Sequence, residues 1–479
     1  MCEPVGVVDR VAARSPVLTQ GAPMRLEGVP VCVVGLGIEG VDLVRFLVRE
    51  GAAVVVSDMR PAEALTESLT AIAGCDVSLR LGDDHLDVPA GTEAVFVSQG
   101  VPTSNPLLQL AMAAGVPIST MLGLFLDLCP VAVTGITGSA GKTTITSLVG
   151  AVLDTAGLTH VVGGNIGVGL LGLLDDIGPG TVVVVEMSHA QLERVATSPH
   201  VACVSNVTPN HLDRFTWSEY VDLKRQILRY KTADDVAVLN LDNEVTRGFA
   251  DDVHGRLVTT SMRTAPAGDG ATLLDGNVVL TRAGETSAVM SRDEIRLRGD
   301  HNVENVLLAV AIAGELGVGP AVIREAVGAF TGVEHRLQPV AIVAGVRYVN
   351  DSIASSPTRA LAGLRACQEP VVMLLGGRDR RLPKEELAAE VGRRCRAVVT
   401  FGEDGHLFAA AVRDAPRGAA VVRREVTTLE EAVEAAAALA REGDVVLFSP
   451  GAASFDAYRG FEERGTAFRA AVDRLGGAR

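Results

Sequence analysis

The clearest capacity for chemistry lies in residues 131–148, VAVTGITGSAGKTTITSL. An apolar run ends there in a glycine-rich turn, which is followed by a lysine, two threonines and a helical pattern. The strict phosphate-loop pattern requires a glycine at position 136, where this chain has Ile136. Because Gly135 and Gly138 flank that position, the stretch is a variant phosphate loop.

The residue types of this loop suit a nucleoside triphosphate. Successive backbone N–H groups from Gly138 to Lys142 can surround phosphate oxygens, and the Lys142 ammonium can neutralise charge on the β- and γ-phosphates. A threonine hydroxyl at the start of the helix can coordinate magnesium. The predicted nucleotide-binding residues are Gly138, Ser139, Ala140, Gly141, Lys142, Thr143 and Thr144.

Two further side chains follow apolar strands beyond the loop. Glu186 ends the run TVVVVE, and His211 comes just after VACVSNVT. Because parallel strands end at one edge of a sheet, we expect both to converge with Lys142 on one crevice. A carboxylate there can serve a magnesium-bound γ-phosphate, although a structural salt bridge is the alternative for Glu186. Magnesium prefers oxygen ligands, so a histidine beside it would be unusual.

A second glycine-rich turn occurs near the N-terminus, in VVGLGIEG. Gly35, Gly37 and Gly40 have the spacing of the dinucleotide fingerprint, and Asp58 ends the next predicted strand eighteen residues further on. Such glycines let the backbone approach a pyrophosphate at a helix N-terminus. Three interpretations stay open on this motif alone: a dinucleotide, and hence an NAD-dependent oxidoreductase; another pyrophosphate; or a tight turn without a ligand.

The elements that must position these residues follow a βαβ pattern. Short, β-branched apolar runs alternate with helix-length segments over most of the 479 residues, in three successive series. This pattern predicts an α/β protein of three domains with parallel sheets. Residues 255–298 break the pattern and predict small antiparallel strands. The predicted domains are 1–128, of which about 1–28 is a poorly ordered lead-in, 129–335 and 336–479.

Composition limits the classes of function. The net charge of −15 argues against non-specific nucleic-acid binding, because phosphate backbones attract positive charge. The seven cysteines are scattered without a C-x-x-C pair, which indicates reduced thiols of a cytoplasmic protein. The first residues lack the apolar core of a signal peptide, and no apolar run approaches the roughly 20 residues of a membrane span. We therefore expect a cytoplasmic protein with neither nucleic-acid nor membrane partners.

Taken in order, the motifs resemble those of the Mur ligases over nearly the whole chain. The matching stretches are TGITGSAGKTT, GGNIG, EMSHAQL, NVTPNHLDRF, DHNVEN, VEHRLQ, VNDSIAS, LLGGRDR and FSPGAASFDAYRGFEERG. The VVGLGIEG turn and the closing FSPGAASFD are similar to the MurD type. The resemblance implies a Rossmann-like N-terminal domain, a P-loop ATPase-like central domain and a Rossmann-like C-terminal domain.

The resemblance also implies an activity. MurD-type members are ATP- and Mg²⁺-dependent ligases of peptidoglycan precursor synthesis that join glutamate to UDP-N-acetylmuramoyl-L-alanine. ATP phosphorylates the terminal carboxylate of the UDP-sugar, and the amine of glutamate displaces phosphate from the acyl phosphate. The N-terminal domain would then bind the UDP pyrophosphate rather than NAD. We expect a monomer with these small-molecule substrates, and closure of the domains to exclude water from the acyl phosphate.

The resemblance assigns roles to named residues. Lys224, which the sequence alone would leave as an exposed helix lysine, matches a lysine that becomes carbamylated. The implied catalytic residues are Lys142, Glu186, His211 and Lys224. The implied metal ligands are Thr143, Glu186, His211 and carbamylated Lys224. Further ATP contacts are Asn302, Asn305, Arg336 and Asp351. The implied UDP-substrate contacts are Gly35, Gly37, Ile38, Glu39, Arg60, Asn165, Ser188 and Gln191, and the implied glutamate contacts are Arg380, Ser454 and Phe461.

Several positions depart from the family pattern. His189 and Ala190 stand where a serine and an aromatic residue are usual, and Asn210 replaces the acid that commonly precedes the metal histidine. Ile353 stands where a lysine near the incoming glutamate is usual, and Arg380 replaces a second lysine. A changed grip on the glutamate carboxylates can reverse the preferred enantiomer, and the stretch DSIASSP resembles a MurD-type branch that adds L-glutamate, with a separate epimerase acting on the product. D-glutamate is the alternative.

Three other functions stay open at this point. A folylpolyglutamate-synthase-like ligase shares the central domain, but it gives no reason for the separate VVGLGIEG unit. An NAD-dependent oxidoreductase fused to an ATPase would use both glycine-rich turns. A nucleotide-binding switch without chemistry would use only the second of them, and the C-terminal motifs argue against it.

Overall fold

The computed structural model describes residues 26–85, 87–164, 169–210, 215–265, 268–297, 299–379 and 382–477. The chain divides into two compact units, one ending at Phe330 and one beginning at Thr331. Most of the predicted N-terminal lead-in lies outside the described residues, and Leu26 is already buried in the first core. The predicted α/β class with three sheets is confirmed.

The first sheet is entirely parallel, with strand order β3-β2-β1-β4-β5. Its strands are β1 Pro30–Val34, β2 Ala53–Asp58, β3 Val77–Leu81, β4 Ala94–Val97 and β5 Ile118–Thr120; its helices are α1 Ile38–Arg49, α2 Thr66–Ala71, α3 Pro106–Ala113 and α4 Met121–Leu128. We call these elements the N-terminal domain. The strand order reverses between β1 and β4, and such a switch point opens a ligand crevice at the carboxyl ends of the strands.

The second sheet has nine strands in the order β14-β13-β12-β11-β10-β9-β6-β8-β7. Its strands are β6 Val133–Thr137, β7 His160–Gly164, β8 Val182–Glu186, β9 Val201–Val204, β10 Val236–Asn240, β11 Arg256–Ser261, β12 Gly270–Leu274, β13 Asn277–Arg282 and β14 Glu285–Ser291; its helices are α5 Lys142–Thr155, α6 His189–Leu192, α7 Trp217–Arg225, α8 Glu244–Gly248, α9 Asp300–Glu315 and α10 Pro320–Ala329. We call these elements the central domain. Among the described strands of this sheet, antiparallel pairing is limited to β12–β14. By contrast, β11, which lies in the segment predicted as antiparallel, pairs parallel with both neighbours.

The third sheet forms the second unit and has the order β15-β16-β20-β17-β18-β19. Its strands are β15 Gln338–Val343, β16 Val346–Asn350, β17 Val371–Gly376, β18 Cys395–Phe401, β19 Val422–Glu425 and β20 Val445–Gly451; its helices are α11 Pro357–Ala366, α12 Glu385–Arg394, α13 Gly405–Asp414, α14 Leu429–Leu439 and α15 Phe461–Gly477. We call these elements the C-terminal domain. Only the β15–β16 pair is antiparallel among its described strands.

The central strands of the sheets are buried on both faces. Every residue of β6, β9, β10 and β17 is buried, which is the pattern expected when helices cover both sides of a parallel sheet. The continuous apolar runs that predicted these strands therefore follow from their two-sided burial. Among the described residues, no helix combines the length and apolar character that crossing a bilayer requires.

The first glycine-rich turn brings α1 close to β1. Gly35 has a φ of +88° and donates its N–H to the carbonyl oxygen of Ser57. A Cβ at Gly40 would overlap the carbonyl oxygen of Gly35, whereas a Cβ at Gly37 would meet no atom of the described residues within 4 Å. The first and third glycines therefore serve the packing of the turn, and the middle one leaves space outside it.

We expect Gly40→Ala to destabilise the N-terminal domain by about 1–3 kcal/mol, because the added methyl group must push α1 away from β1. Gly37→Ala is the matched control, and its effect should be well under that value. Urea denaturation of both variants measures the difference. Equal destabilisation by the two substitutions would contradict this account of the turn.

Candidate active site

The phosphate loop connects β6 to α5 and is tightly packed. Gly138 and Gly141 have φ values of +151° and +84°. A Cβ at Gly138 would overlap the hydroxyl of Ser205, and one at Gly141 would overlap the side-chain oxygen of Asn305. Both glycines are therefore required by close approach as well as by backbone conformation. The loop opens directly into the N-terminus of α5, where the helix dipole favours an anion.

Two residues after β9 hold the loop in place, and the sequence analysis did not identify either. Asn206 accepts the N–H of Ser139 at its carbonyl oxygen (2.8 Å) and the N–H of Ala140 at Oδ1 (3.0 Å). Ser205 Oγ donates to the carbonyl oxygen of Ala140 at 2.7 Å. Two N–H groups that were expected to surround phosphate are thus donated within the protein. Polar residues directly after a buried strand were the only sequence signal for this role.

Three of the four predicted catalytic residues lie around the ends of β6 and β8. Glu186 is the last residue of β8 and is 1% exposed. Lys142 begins α5, and its Nζ donates to the carbonyl oxygen of Gly138 at 3.0 Å. Lys224 on α7 is also only 1% exposed, so its interpretation from sequence alone as an exposed lysine is wrong. The fourth, His211, lies outside the described residues.

Lys224 is held by a short chain of hydrogen bonds. Its Nζ donates to Thr137 Oγ1 at 3.1 Å, and Thr137 Oγ1 donates to the carbonyl oxygen of Met187 at 2.7 Å. Burial lowers the pKa of Lys224 well below its usual range, the positive charge of Lys142 lowers it further, and Glu186 opposes the change. The amine is therefore biased towards its neutral form, which is a nucleophile.

The first residues of α9 lie against the phosphate loop. Asn305 is 5% exposed, and its Nδ2 donates to Asn302 Oδ1 at 3.1 Å. Its contact with Gly141 places this pair beside the first turn of α5. The two predicted nucleotide contacts of the central domain are thus brought to the loop.

In the N-terminal domain, the acid of the fingerprint is already occupied. Asp58 Oδ2 accepts the N–H of Leu36 and Arg60 Nη2, each at 2.7 Å, and Oδ1 accepts the N–H of Arg60 at 2.9 Å. Burial raises the pKa of Asp58, but the hydrogen bonds from Arg60 and Leu36 outweigh it and lower the pKa overall. Around this turn, Ile38 is 70% exposed and Met59 is 68% exposed. The Asp58 carboxylate is thus already engaged within the protein, which does not suit the ribose hydroxyls of a dinucleotide. The exposed apolar side chains beside the half-exposed Arg60 suit the flat base of a nucleotide.

The other predicted UDP-substrate contacts have different surroundings. Glu39, Ser188 and Gln191 are buried, and Gln191 is hydrogen-bonded directly to both of the others, as described below. Asn165 lies outside the described residues. His189 makes ring contacts with Phe215, with centroids 5.8 Å apart.

In the C-terminal domain, Arg336 lies between two residues in the left-handed region, His335 with φ +59° and Leu337 with φ +43°. Asp351 is 4% exposed, accepts the N–H of Leu337 at 3.1 Å and accepts Ser449 Oγ at 2.6 Å. Burial raises the pKa of Asp351 to about 6. Strained backbone of this kind persists only where surrounding contacts fix it, and it is frequent at functional sites.

Two of the three predicted glutamate contacts, Ser454 and Phe461, lie near a fully buried arginine, Arg464, that the sequence analysis missed. Arg464 Nε donates to Ser352 Oγ (3.1 Å), and its Nη atoms donate to the carbonyl oxygens of Ala452 (3.0 Å) and Ser352 (2.9 Å). These bonds connect the segments that follow β16 and β20. Phe461 accepts Ser352 Oγ at its carbonyl oxygen, and Ser454 is 3% exposed. Arg380 lies outside the described residues.

Comparison with protein families finds three consecutive matches. The model of the Mur ligase MurD-like N-terminal domain matches residues 30–120, that of the Mur ligase middle domain matches 136–313, and that of the Mur ligase glutamate ligase domain matches 335–451. Together they account for the N-terminal, central and C-terminal sheets.

Relatives resemble the chain over most of its length. A protein of Symbiobacterium thermophilum named UDP-N-acetylmuramoylalanine–D-glutamate ligase is 42% identical over 92% of this chain and 97% of its own. Proteins of the same name from Acetivibrio thermocellus and Clostridium novyi are 37% and 38% identical, over 94% and 93% of this chain and 97% and 96% of their own. Among solved structures, UDP-N-acetylmuramate-alanine ligase MurC of Thermotoga maritima matches with a TM-score of 0.52 at 20% identity, over 94% of this chain and 100% of that one, and indicates the shared fold.

Two threonines of the central domain make a matched test of the Lys224 anchor. We expect Thr137→Val to destabilise the protein by about 1–3 kcal/mol, because it removes the donor to Met187 and the acceptor of Lys224 inside a buried site. The hydroxyl of Thr146 is buried without a hydrogen-bond partner among the described residues. Thr146→Val should therefore be neutral or stabilising. Chemical denaturation of both variants measures the effects, and the opposite ranking would contradict the assigned bonds.

Proposed function

Because the chain belongs to the Mur ligase family, in its MurD type, we propose that it joins D-glutamate to UDP-N-acetylmuramoyl-L-alanine in peptidoglycan precursor synthesis. Membership of the family, which the sequence motifs predicted, is confirmed by the three family matches and by relatives of up to 42% identity. The protein is accordingly an ATP-dependent, amide-forming ligase. The observation that supports the proposed chemistry best is the placement of Lys142, Glu186 and Lys224 around the ends of β6 and β8.

The preference for L-glutamate, which the sequence departures favoured, is not supported. The three relatives of 37–42% identity reported above are each named for D-glutamate, so we propose the D-enantiomer. The proposal requires no separate epimerase. Ile353, the residue on which the L-glutamate prediction rested, has its backbone N–H bonded to the carbonyl oxygen of His335 at 3.1 Å. The main chain of Ile353 thus contributes to fixing its place in the domain, whatever side chain stands there.

The first half of the proposed reaction brings two anions together. The terminal carboxylate of the UDP-sugar attacks the γ-phosphorus of ATP, the bond to the bridging oxygen breaks, and ADP leaves. Lys142 and the N-terminus of α5 offset the charge on the phosphates, so that the carboxylate can approach. Asn305 and Asn302 fix the loop beside them. Little covalent chemistry is required of the protein, since positioning and charge stabilisation suffice.

In the second half, the neutral amine of glutamate attacks the carbonyl carbon of the acyl phosphate. A tetrahedral intermediate forms, phosphate leaves with the bonding electron pair, and the amine proton passes to solvent. We propose Arg380, Ser454 and Phe461 as the glutamate contacts, as the family resemblance implies. Arg464 supports this region by its bonds to Ser352 and Ala452.

We propose that Lys224 acts as a carbamate. Its neutral amine can add to CO₂, forming an N–C bond and releasing one proton, so that the neutral side chain becomes an anion. Thr137 holds the nitrogen in place for this change. The described residues include no cluster of three His, Cys, Asp or Glu side chains that could hold a metal. A carbamate would therefore add the oxygen ligand that this part of the site otherwise lacks.

Magnesium fits the donor set that results. Glu186, a Lys224 carbamate and the hydroxyl of Thr143 are oxygen donors, and Mg²⁺ characteristically combines one or two carboxylates with substrate phosphates and water. When bound, the ion would neutralise charge on the phosphates. His211 stays a prediction as a further ligand.

The proposed function is tested by release of inorganic phosphate. Phosphate should appear only when ATP, UDP-N-acetylmuramoyl-L-alanine and D-glutamate are all present, and L-glutamate should be a much poorer substrate. Lys142→Ala should abolish release, while binding of UDP to the N-terminal domain persists, because the substitution removes charge only at the triphosphate. Phosphate release without amide product, or a preference for L-glutamate, would contradict the proposal.

The carbamate is tested separately with ¹³C-bicarbonate. A carbamate ¹³C resonance should appear in the wild-type protein and be missing from Lys224→Arg, whose guanidinium stays protonated and cannot add CO₂. Since only the neutral amine reacts, the resonance should weaken as the pH falls through the lowered pKa of Lys224. Equal signals from the two proteins would exclude Lys224 as the site.

A further inference from the structure

Helix α1 has two buried faces with different partners. Its first turn begins beside the UDP crevice with Ile38, which is 70% exposed, while the next residue, Glu39, is 5% exposed. Asp42 lies one turn further along the same face. Both acids point into the central domain, which belongs to the same compact unit. Glu39, which was predicted to contact the UDP-substrate, thus points towards the central domain.

Glu39 belongs to a closed ring of four residues. Its Oε1 accepts Gln191 Nε2 at 2.7 Å, and its Oε2 accepts the N–H of Gln99 at 2.8 Å. Gln191 Oε1 accepts the N–H of Ser188 at 2.9 Å, and Ser188 Oγ donates to Gln99 Oε1 at 3.2 Å. Two members lie in the N-terminal domain and two in the central domain. Each cross-domain bond is therefore supported by a second one, and we call this set the Glu39 ring.

The Glu39 ring is attached next to the catalytic carboxylate. Ser188 follows Glu186 by two residues, and Met187 between them accepts the Thr137 hydroxyl to which Lys224 donates. Asp42 makes a second attachment, because its carboxylate accepts the N–H groups of Leu171 (2.9 Å) and Gly172 (3.3 Å). One helix is thus bonded to two separate segments of the central domain.

Stability alone does not explain why the two domains are joined here by a polar ring. Both donors to Glu39 in the ring are neutral, and burial raises the pKa of its carboxyl. An apolar pair of similar volume would hold two domains together at least as well. Unlike apolar contacts, hydrogen bonds fix the relative direction and register of the two domains. Phosphoryl transfer between two bound substrates requires such fixed alignment.

We propose that Glu39 is a positioning residue, whose ring with Gln99, Ser188 and Gln191 sets the nucleotide-sugar bound at α1 in register with the phosphate loop. The inference rests on the proposed function and adds to it a residue whose effect passes through Gln191 and Ser188 rather than through contact with substrate. It replaces the sequence-based predictions that Glu39, Ser188 and Gln191 bind the UDP-substrate directly, because the side chains of all three make the hydrogen bonds of the ring.

The ring offers an exact exchange of partners as its test. In Glu39→Gln, the new amide can accept from Gln99 only by turning its NH₂ towards that of Gln191, so one donor loses its acceptor. In the double variant Glu39→Gln with Gln191→Glu, the amide at 39 donates to one carboxylate oxygen at 191, and the other oxygen accepts from Ser188. All three bonds are then remade with the charge moved across the interface.

We expect Glu39→Gln to lower kcat by about 10- to 100-fold, because the substrates bind but are misaligned. The dissociation constants of UDP and of ATP should stay within about twofold of wild type, since neither site has lost a contact of its own. The double variant should recover kcat to within about threefold of wild type, and Glu50→Gln, an exposed acid just beyond the same helix, should be unchanged. Gln191→Met breaks the ring from the central domain and should lower kcat in the same way.

Several results would overturn the inference. A wild-type kcat in Glu39→Gln would do so, as would a double variant no faster than the single ones. Parallel loss of UDP and ATP binding in Glu39→Gln and Gln191→Met would show that the ring only supports folding. Failure of the wild-type protein to form amide would instead contradict the proposed function. An active wild-type protein whose variants do not follow the expected order of kcat contradicts only the role of the ring.

Discussion

The candidate site depends on one electrostatic constraint, which is a lysine buried beside another lysine. Lys224 is 1% exposed, and both its burial and the charge of Lys142 disfavour the protonated form. Glu186 offsets only part of this effect. In its neutral form the amine can donate to Thr137, and it can react with CO₂, which an ammonium group cannot do. Burial beside Lys142 would destabilise a protonated lysine, and it therefore favours the neutral form that reacts with CO₂.

The fold places this constraint where substrates can meet. Parallel strands β6, β8 and β9 end at one edge, which supplies the phosphate loop, Glu186 and the Ser205–Asn206 pair that holds the loop. The N-terminal domain is attached by the Glu39 ring two residues beyond Glu186. The proposed binding helix for the nucleotide-sugar and the proposed activating carboxylate are thus separated by one short, hydrogen-bonded segment.

Local sequence patterns predicted the features of the fold that depend on residues close together in the chain. The α/β class and the parallel strands follow from apolar periodicity, and the structure confirms them. The glycine-rich turn from which the phosphate loop was predicted connects β6 to α5, and nucleotide binding there stays a prediction. The burial of Lys224 could not be predicted from periodicity, because it depends on contacts with residues distant in the sequence, such as Thr137. Only the resemblance distinguished this residue from an exposed helix lysine. Glu39 was assigned to substrate from its place in the fingerprint, since its partner Gln191 is 152 residues away. Asn165, His211 and Arg380 stay predictions from the resemblance.

The most direct test of the central claim is a pH titration of Lys224 in CO₂-free buffer, where its amine carries no carbamate, observed by NMR in protein labelled at the lysine side chains and assigned through Lys224→Arg. The account predicts that this amine titrates well below the ordinary lysine pKa of about 10.4. It also predicts that Lys142→Ala moves the pKa upwards, because one neighbouring positive charge is removed. An amine that titrates at the ordinary value, and does not respond to the loss of Lys142, would contradict the account.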